Sequence, residues 1–418
     1  MNAVAPDDAA RGDAAGADAA GADPGAARLR LTRLRLTEFR SYRALAWEPA
    51  ARIAVIAGPN GSGKTNLLEA VSLLVPGRGL RGARVADLPR RAGSDQTRAA
   101  GPWAVAGRFV TPSGVLDVGT GSPPEGPADR RAFRLDGAAP RAQAEIAERI
   151  AAIWLTPQMD RLFQEGASGR RRFLDRLVWA LEPGHAREVA AHDSAMTGRN
   201  RLLARGGESR RDPAWLAALE DAMARHGVAV TAARAGLVAR LDAALAGGLV
   251  AGFPPVRVAL AGAVAERLAQ APAVAVEDWL RAELAAGRAR DAAAGTALSG
   301  AQRCDLELRD AATGLPASLA STGEQKAMLV GLVLAHAGLI AVARGFAPLL
   351  LLDEPAVHLD EARRAALFAA LIGLPAQVLL TGTDAEIFAP LAGHAQGWRS
   401  GAGALAPDPR FAGRRAAG

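Results

Sequence analysis

From residue 29 onward the hydrophobic positions change period along the chain, and each change predicts an element. LRLTRLRLTEFRSY (29–42) alternates apolar and polar residues, the two-residue period of a half-buried strand or hairpin. RIAVIA (52–57) is nearly all apolar and reads as a second strand. LLEAVSLL (67–74) then returns to helical spacing through Leu67, Leu68, Val71 and Leu74. From about Trp103 to Leu135 the runs WAVAGRFV, VLDVG and AFRLD, broken by Gly and Pro, predict more strands.

After about Pro140 the apolar residues recur every three or four positions, as in RRRFLDRLVWALE (170–182) and WLAALEDAMARHGVAVTAARAGLVARL (215–241). Breaks fall around 205–213 and 247–255, and β character returns at about Leu298 to Leu308. The last part alternates again. STGEQKAMLVGLVLAHAGLI (321–340) predicts a helix, PLLLLDEP (348–355) a buried strand, EARRAALFAALIG a helix and QVLLTGTD another buried strand. Strands apolar throughout suit a parallel sheet covered on both faces. The expected architecture is an α/β lobe in two halves, 28–140 and 298–400, with a compact helical insert lobe at 141–297. Residues 1–27 and 401–418 are expected to be a disordered tail and a loose end.

Composition adds limits. The chain has 418 residues, 50% hydrophobic and 22% charged, which is ordinary for a globular protein with real cores. No run was expected to reach the ~18–20 apolar residues of a membrane span. A single cysteine, Cys304, allows no intramolecular disulfide, fits a cytoplasmic protein and reads best as a small core residue. Residues 1–27 hold five aspartates and one arginine, which is not a secretory signal. The formal charge of +7 fits an anionic partner. Residues 28–120 hold fifteen basic residues against six acidic. The segment 77–98, with Arg78, Arg81, Arg84, Arg90 and Arg91, is the candidate contact with DNA phosphates. An ordinary arginine-covered surface explains the same residues. Only 4% of residues are aromatic, which favours backbone and duplex contacts over base stacking.

One bias gives the chemistry away. Of 50 basic residues only Lys64 and Lys326 are lysine. Where arginine serves almost everywhere, a retained lysine marks a place that needs a compact charge on a flexible stem. Lys64 stands in GPNGSGKTN (58–66), a match to G-x-x-x-x-G-K-[ST] between a strand and a helix. Gly58, Pro59, Asn60, Gly61, Ser62, Gly63, Lys64, Thr65 and Asn66 would form a phosphate-binding loop whose backbone N–H groups and helix N-terminus face an anion. Lys64 would reach the β- and γ-phosphates, and the Thr65 hydroxyl would ligate Mg²⁺. In LLLLDEP the strand ends in two acids at the carboxyl edge of the sheet. Asp353 would hold the Mg²⁺ shell, and Glu354 would orient and polarise the attacking water. STGEQK (321–326) starts a helix with hydroxyls and free N–H groups, and serves equally as an anion site or a plain capping box with Glu324.

These three motifs, in this order, resemble the ATP-binding-cassette (ABC) ATPases: GPNGSGKTN their Walker A, STGEQK their signature, LLLLDEP their Walker B, and AVHLD (356–360) their D-loop. TGTD (381–384) occupies the switch position without the histidine many members carry there. The resemblance implies ATP and Mg²⁺ as cofactors, and a signature that completes the partner's site in trans, with Ser321 and Gly323 at the γ-phosphate and Glu324 and Gln325 among the nucleotide-binding residues. LTEFRSY, TPQMDRLFQEGASGRRRFLDR (156–176), RNRLLA (199–204) and SLASTGEQKAMLVGLVLA are similar to the RecF branch in particular, over most of residues 29–390. There Gln158 takes the Q-loop position.

Two departures stand out: GAQRCD (300–305), where only Gly300, Arg303 and Asp305 match the family run, and Asp-Glu-Pro in place of two aspartates. The branch implies a weak DNA-stimulated ATPase that dimerises on ATP at gapped or single-strand to duplex junction DNA. It also implies RecO and RecR as partners and, through them, loading of RecA. A transporter ATPase subunit and a DNA-independent ATPase switch share the cassette motifs and stay open. A nuclease-coupled defence ATPase would need an acidic metal cluster in an added domain.

Overall fold

The computed structural model describes residues 29–91, 101–123, 125, 130–204, 213–248 and 251–411. The tail expected at 1–27 and residues 205–212 of the first expected break lie outside them.

β1 (Arg30–Phe39) and β2 (Tyr42–Trp47) pair as a hairpin with Phe39 opposite Tyr42. β3 (Ile53–Ala57) leads through the glycine-rich loop into α1 (Lys64–Leu74). β4 (Ala104–Thr111), β5 (Gly114–Gly121) and β6 (Ala132–Leu135) complete an antiparallel sheet in the order β2-β1-β4-β5-β6. The alternation in β1 turns Leu31, Leu34 and Leu36 inward against Leu67, Val71 and Leu74 of α1, and leaves Arg33 and Arg35 on the outer face.

Next come α2 (Gln143–Arg149), β7 (Ala152–Leu155), α3 (Ala167–Leu181), α4 (His185–Ala204) and α5 (Pro213–Ala246). β8 (Val256–Ala261), α6 (Ala263–Leu268), α7 (Ala273–Ala286), α8 (Arg288–Ala294) and β9 (Asp305–Asp310) follow. The chain ends with α9 (Thr322–Arg344), β10 (Leu349–Leu352), α10 (Glu361–Gly373), β11 (Val378–Gly382), β12 (Ala395–Gly401) and β13 (Ala404–Pro407).

The second sheet runs β13-β12-β3-β11-β10-β7 and is parallel except at β13. It is buried on both faces. Ile53, Val55, Leu350 and Leu352 meet α9 and α10, while Ala54, Ile56, Leu349 and Leu351 meet α1 and the antiparallel sheet. That two-sided burial is why its strands read as unbroken apolar runs.

Three expectations are corrected. β7 lies in the stretch assigned to the helical insert, yet it pairs in parallel with β10, Leu155 beside Leu352, so the insert proper starts at α3. Four apolar residues carry too little period to announce a strand. Residues 404–407 form a paired edge strand, β13, where a loose end was expected. α9 is long and apolar enough to cross a membrane by length and composition, against the expectation that no segment would be. Most of it is buried between the parallel sheet and α3 and α5, so it is a core helix.

The helical lobe is held by charge as well as by apolar contact. The fully buried Arg199 of α4 donates to Glu220 of α5 at 3.1 Å, to Asp291 of α8 at 2.8 Å and to the Leu284 carbonyl at 2.7 Å. Removing one member leaves buried charge uncompensated, which costs about 3–5 kcal/mol. Arg199→Met is therefore expected to lower unfolding stability by that amount in urea denaturation. Stability equal to the wild type would refute the account. The GAQRCD run also helps hold this lobe together. Asp305 receives a bidentate pair from Arg170 of α3 at 2.8 and 2.7 Å, Arg303 donates to the Ala297 carbonyl, and Cys304 is buried, which pushes its thiol pKa up.

Candidate nucleotide site

Strand order brings the site together. β3, β11 and β10 are neighbours, so the loop after β3, the end of β11 and the end of β10 share one sheet edge. Thr65 Oγ1 donates to Asp353 Oδ1 at 3.0 Å across 288 residues of sequence. Thr381 Oγ1, at the end of β11, donates to the same oxygen at 2.6 Å and accepts the Glu354 N–H at 3.0 Å. Asp353 is 4% exposed. A carboxylate buried there with two hydroxyls on one oxygen has its position fixed before any ligand arrives.

The loop curls as its glycines allow. Gly61 and Gly63 have φ of 78° and 104°, the left-handed region that side chains disfavour. A Cβ at Gly63 would also stand 2.8 Å from Ser41 Oγ and 3.0 Å from Tyr42 Oη, whereas one at Gly61 would meet nothing within 4 Å. Tyr42 donates to the Gly63 carbonyl and Ser400 to the Ser62 carbonyl, which props the loop from β2 and β12. The Ser62 hydroxyl is buried with no hydrogen-bond partner. Lys64 Nζ lies back on the carbonyls of Gly58 at 2.7 Å and Pro59 at 3.0 Å. Burial pushes the Lys64 pKa down, and Glu354 and Asp353 pull against that shift.

Ser321 caps α9 with Glu324 as a capping box, and burial of neither is complete. The Ser321 backbone N–H and hydroxyl both donate to the Glu324 carboxylate, which holds its pKa below the usual range. Gln158 is exposed on a 3-10 turn just after β7, at the same sheet edge as the end of β10.

Other sequence-picked residues point elsewhere. Gln325 is buried and braces the helix start through the Ala320 carbonyl at 2.7 Å, so it is not an outward contact. The Asn66 side chain is taken up by Ser41 and Arg81. Of the candidate DNA contacts, Arg81 meets Glu69, Arg90 meets Glu38 and Arg91 meets Asp87. Only Arg78 and Arg84 stand exposed without an ion pair among the described residues. A basic concavity lies on the outer face of the antiparallel sheet instead. It spans about 460 Å³ and is lined by Arg33, Arg35, Arg108 and Arg134 together with Asp117. Arg108 is paired with Asp117 and Arg33 with Glu48, which leaves Arg35 and Arg134 without an ion pair among the described residues.

The sequence reading gave no individual role to Thr381, Tyr42, Ser400, Asp160 or Lys326. Two of them carried a signal: Thr381 opens TGTD at the switch position, and Lys326 is the second surviving lysine.

This fold and this site define an ABC-type P-loop ATPase lobe carrying a helical insert. The family model described as RecF/RecN/SMC N terminal domain matches residues 30–392. The chain is 49% identical over 361 residues to the DNA replication and repair protein RecF of Mesorhizobium japonicum, covering 86% of this chain and 92% of that one. It is 47% identical to the protein of the same name from Agrobacterium fabrum, covering 86% and 93%. The chain belongs to the RecF family.

Among solved structures it is similar to the recombination mediator protein RecF-ATPrS in the RecFOR pathway, at TM-score 0.78 and 18% identity over 91% of this chain and 99% of that one. RecF-ATP follows at TM-score 0.73 and 18% identity, covering 91% and 100%. At that identity the likeness speaks for the fold.

Proposed function

We propose that the chain is an ATP-dependent DNA clamp of recombinational repair, in which slow ATP hydrolysis serves as the release step. The observation that carries the reading is the convergence of Thr65 and Thr381 on one Asp353 oxygen beside Lys64. Family membership adds to it, since the relatives named above are DNA replication and repair proteins and one related structure is RecF-ATP.

The residues present fit a magnesium nucleotide. The orphaned Ser62 hydroxyl and the loop amides supply donors for phosphate oxygens, and the space beside Gly61 is open. Among the described residues no three His, Cys, Asp or Glu side chains gather to hold a metal alone. Mg²⁺ needs no such cage, because it takes one or two carboxylates with phosphate and water oxygens. Thr65 and Asp353 would hold it, and its charge would offset that on the phosphates.

The side chains then divide the work. Lys64 exchanges the Gly58 and Pro59 carbonyls for phosphate oxygens. Glu354 accepts a proton from the attacking water. Gln158 reports the state of the site to the helical lobe. Ser321 and Gly323, at the exposed start of α9, reach the partner's nucleotide, so ATP closes a homodimer on gapped or junction DNA. The phosphate backbone meets arginines, with Arg35 and Arg134 of the outer sheet joining Arg78 and Arg84 as candidates. RecO and RecR belong to the same proposal as mediators that act with the clamp to load RecA, and the cytoplasm is its place.

The trans contact has a direct test. Ser321→Arg places a bulky cation where the second protomer must approach. It is expected to leave ATP binding unchanged within about twofold and to remove ATP-dependent dimerisation, read by light scattering. Dimers that still form on ATP would refute the trans contact.

A further inference from the structure

The two lysines of the chain sit in different machinery. Lys326 lies inside α9, five residues past Ser321, and is 1% exposed. Its Nζ donates to Asp160 Oδ2 at 3.2 Å and to the Glu354 carbonyl at 3.1 Å. Asp160 is buried on the turn that carries Gln158, and its second carboxylate oxygen has no hydrogen-bond partner. His358 Nδ1 stands 3.6 Å from the oxygen that Lys326 holds.

The backbone that Lys326 grips is unusual. Glu354 and His358 have φ of 50° and 65°, left-handed values that non-glycine residues adopt only when their surroundings impose them. The impositions are visible. The Glu354 N–H is held by Thr381 Oγ1, and its carbonyl is held by Lys326 Nζ. The start of α9 presses on the same loop, since a Cβ at Gly323 would come within 3.0 Å of the His358 carbonyl.

We infer that Lys326 is a positioning residue that fixes the backbone at Glu354 and ties it to both the Gln158 turn and the start of α9. The inference rests on the ATPase reading above. One ammonium joins the three segments through which that reading passes information, from the nucleotide edge to the dimer face. It also accounts for a lysine where arginine takes the other positions. A lysine end is compact and can divide its protons between a carboxylate and a carbonyl at different angles. A guanidinium spreads its donors over a wide planar fork, so it would set its nitrogens away from the single buried point at which Nζ meets both acceptors.

Two variants test this beside the wild type. Lys326→Arg keeps the charge. The double variant Lys326→Met with Asp160→Leu removes both buried partners, so no uncompensated charge remains and the melting temperature should stay near that of the wild type. The readouts are kcat and KM for ATP hydrolysis, and the affinity and stoichiometry of a fluorescent ATP analogue.

Both variants are expected to bind the analogue at wild-type stoichiometry and within about twofold in affinity, with kcat lower by about tenfold or more, because a small misplacement of a reacting group costs that much. Stoichiometry separates this from partial unfolding, which would lower the bound fraction. Wild-type kcat in Lys326→Arg overturns the inference, as does a double variant that recovers both melting temperature and kcat. If the double variant does not fold, Lys326→Arg decides alone. A wild-type chain that neither binds nor hydrolyses ATP overturns the proposed function itself, whereas an active wild type matched by both variants overturns only the role of Lys326.

Discussion

Glu354→Gln is expected to bind ATP like the wild type and to hydrolyse it about 10²–10⁴ times more slowly. The substitution keeps the shape and removes the one group placed to take a proton from water, and a positioned base is worth about that factor. Affinity should hold because Lys64, the loop amides and the Thr65–Asp353 pair are untouched. The bound state then outlasts the measurement. Light scattering should report a mass near twice 43.0 kDa with ATP and a single chain with ADP. A gapped duplex should strengthen the ATP dimer, and raising the salt should weaken the DNA contribution, since phosphate contacts release counterions. A monomer under every condition would end the clamp reading. Undiminished turnover would move the base elsewhere.

Lys64→Ala should strike the earlier step. It removes a charge-assisted contact worth about 1.5–3 kcal/mol, which is roughly 10- to 100-fold in affinity. The clearest readout is thermal. A ligand that binds only the folded state raises the melting temperature with its concentration, and the variant should need about 10- to 100-fold more ATP for the same rise, while its melting temperature without ATP changes little. The reason is that Lys64 donates to the Gly58 and Pro59 carbonyls, and the Pro59 carbonyl also accepts the Ser62 N–H. Lys64→Arg should be impaired as well, because Lys64 is 4% exposed and a wide planar guanidinium replaces a compact ammonium there. An ATP-dependent shift of wild-type size in Lys64→Ala would remove this loop from the nucleotide site.

Much of the site was legible because its parts are short and local. Gly61, Gly63, Lys64 and Thr65 need only each other and a following helix to make a phosphate loop. A strand ending in Asp353 and Glu354 announces itself by composition. Residues whose role depends on a distant neighbour were not legible. Nothing near Thr381 says that its hydroxyl will sit 2.6 Å from Asp353. Nothing near Arg81 or Arg90 says that Glu69 and Glu38 on other elements will occupy them, so a run of arginines looked freer than it is; only the pair of Arg91 with Asp87, four positions away, is local. Gln325 reads as part of an exposed signature, yet helical geometry turns it inward, four positions from the buried Leu329.

By itself the sequence determined the α/β character, the helical insert, the phosphate loop and the paired acids, because period and local motif act through residues a few positions apart. Tertiary structure alone decided which strands lie side by side, that β7 joins the core sheet, that the arginines of 77–91 are largely spent on ion pairs, and that Lys326 grips the peptide after Glu354. Apart from the local pair of Arg91 with Asp87, those facts rest on contacts between residues a dozen to hundreds of positions apart, such as Lys326 with Asp160 across 166 residues. A contact of that kind is set by the packing of whole elements, and no local pattern of side chains encodes it.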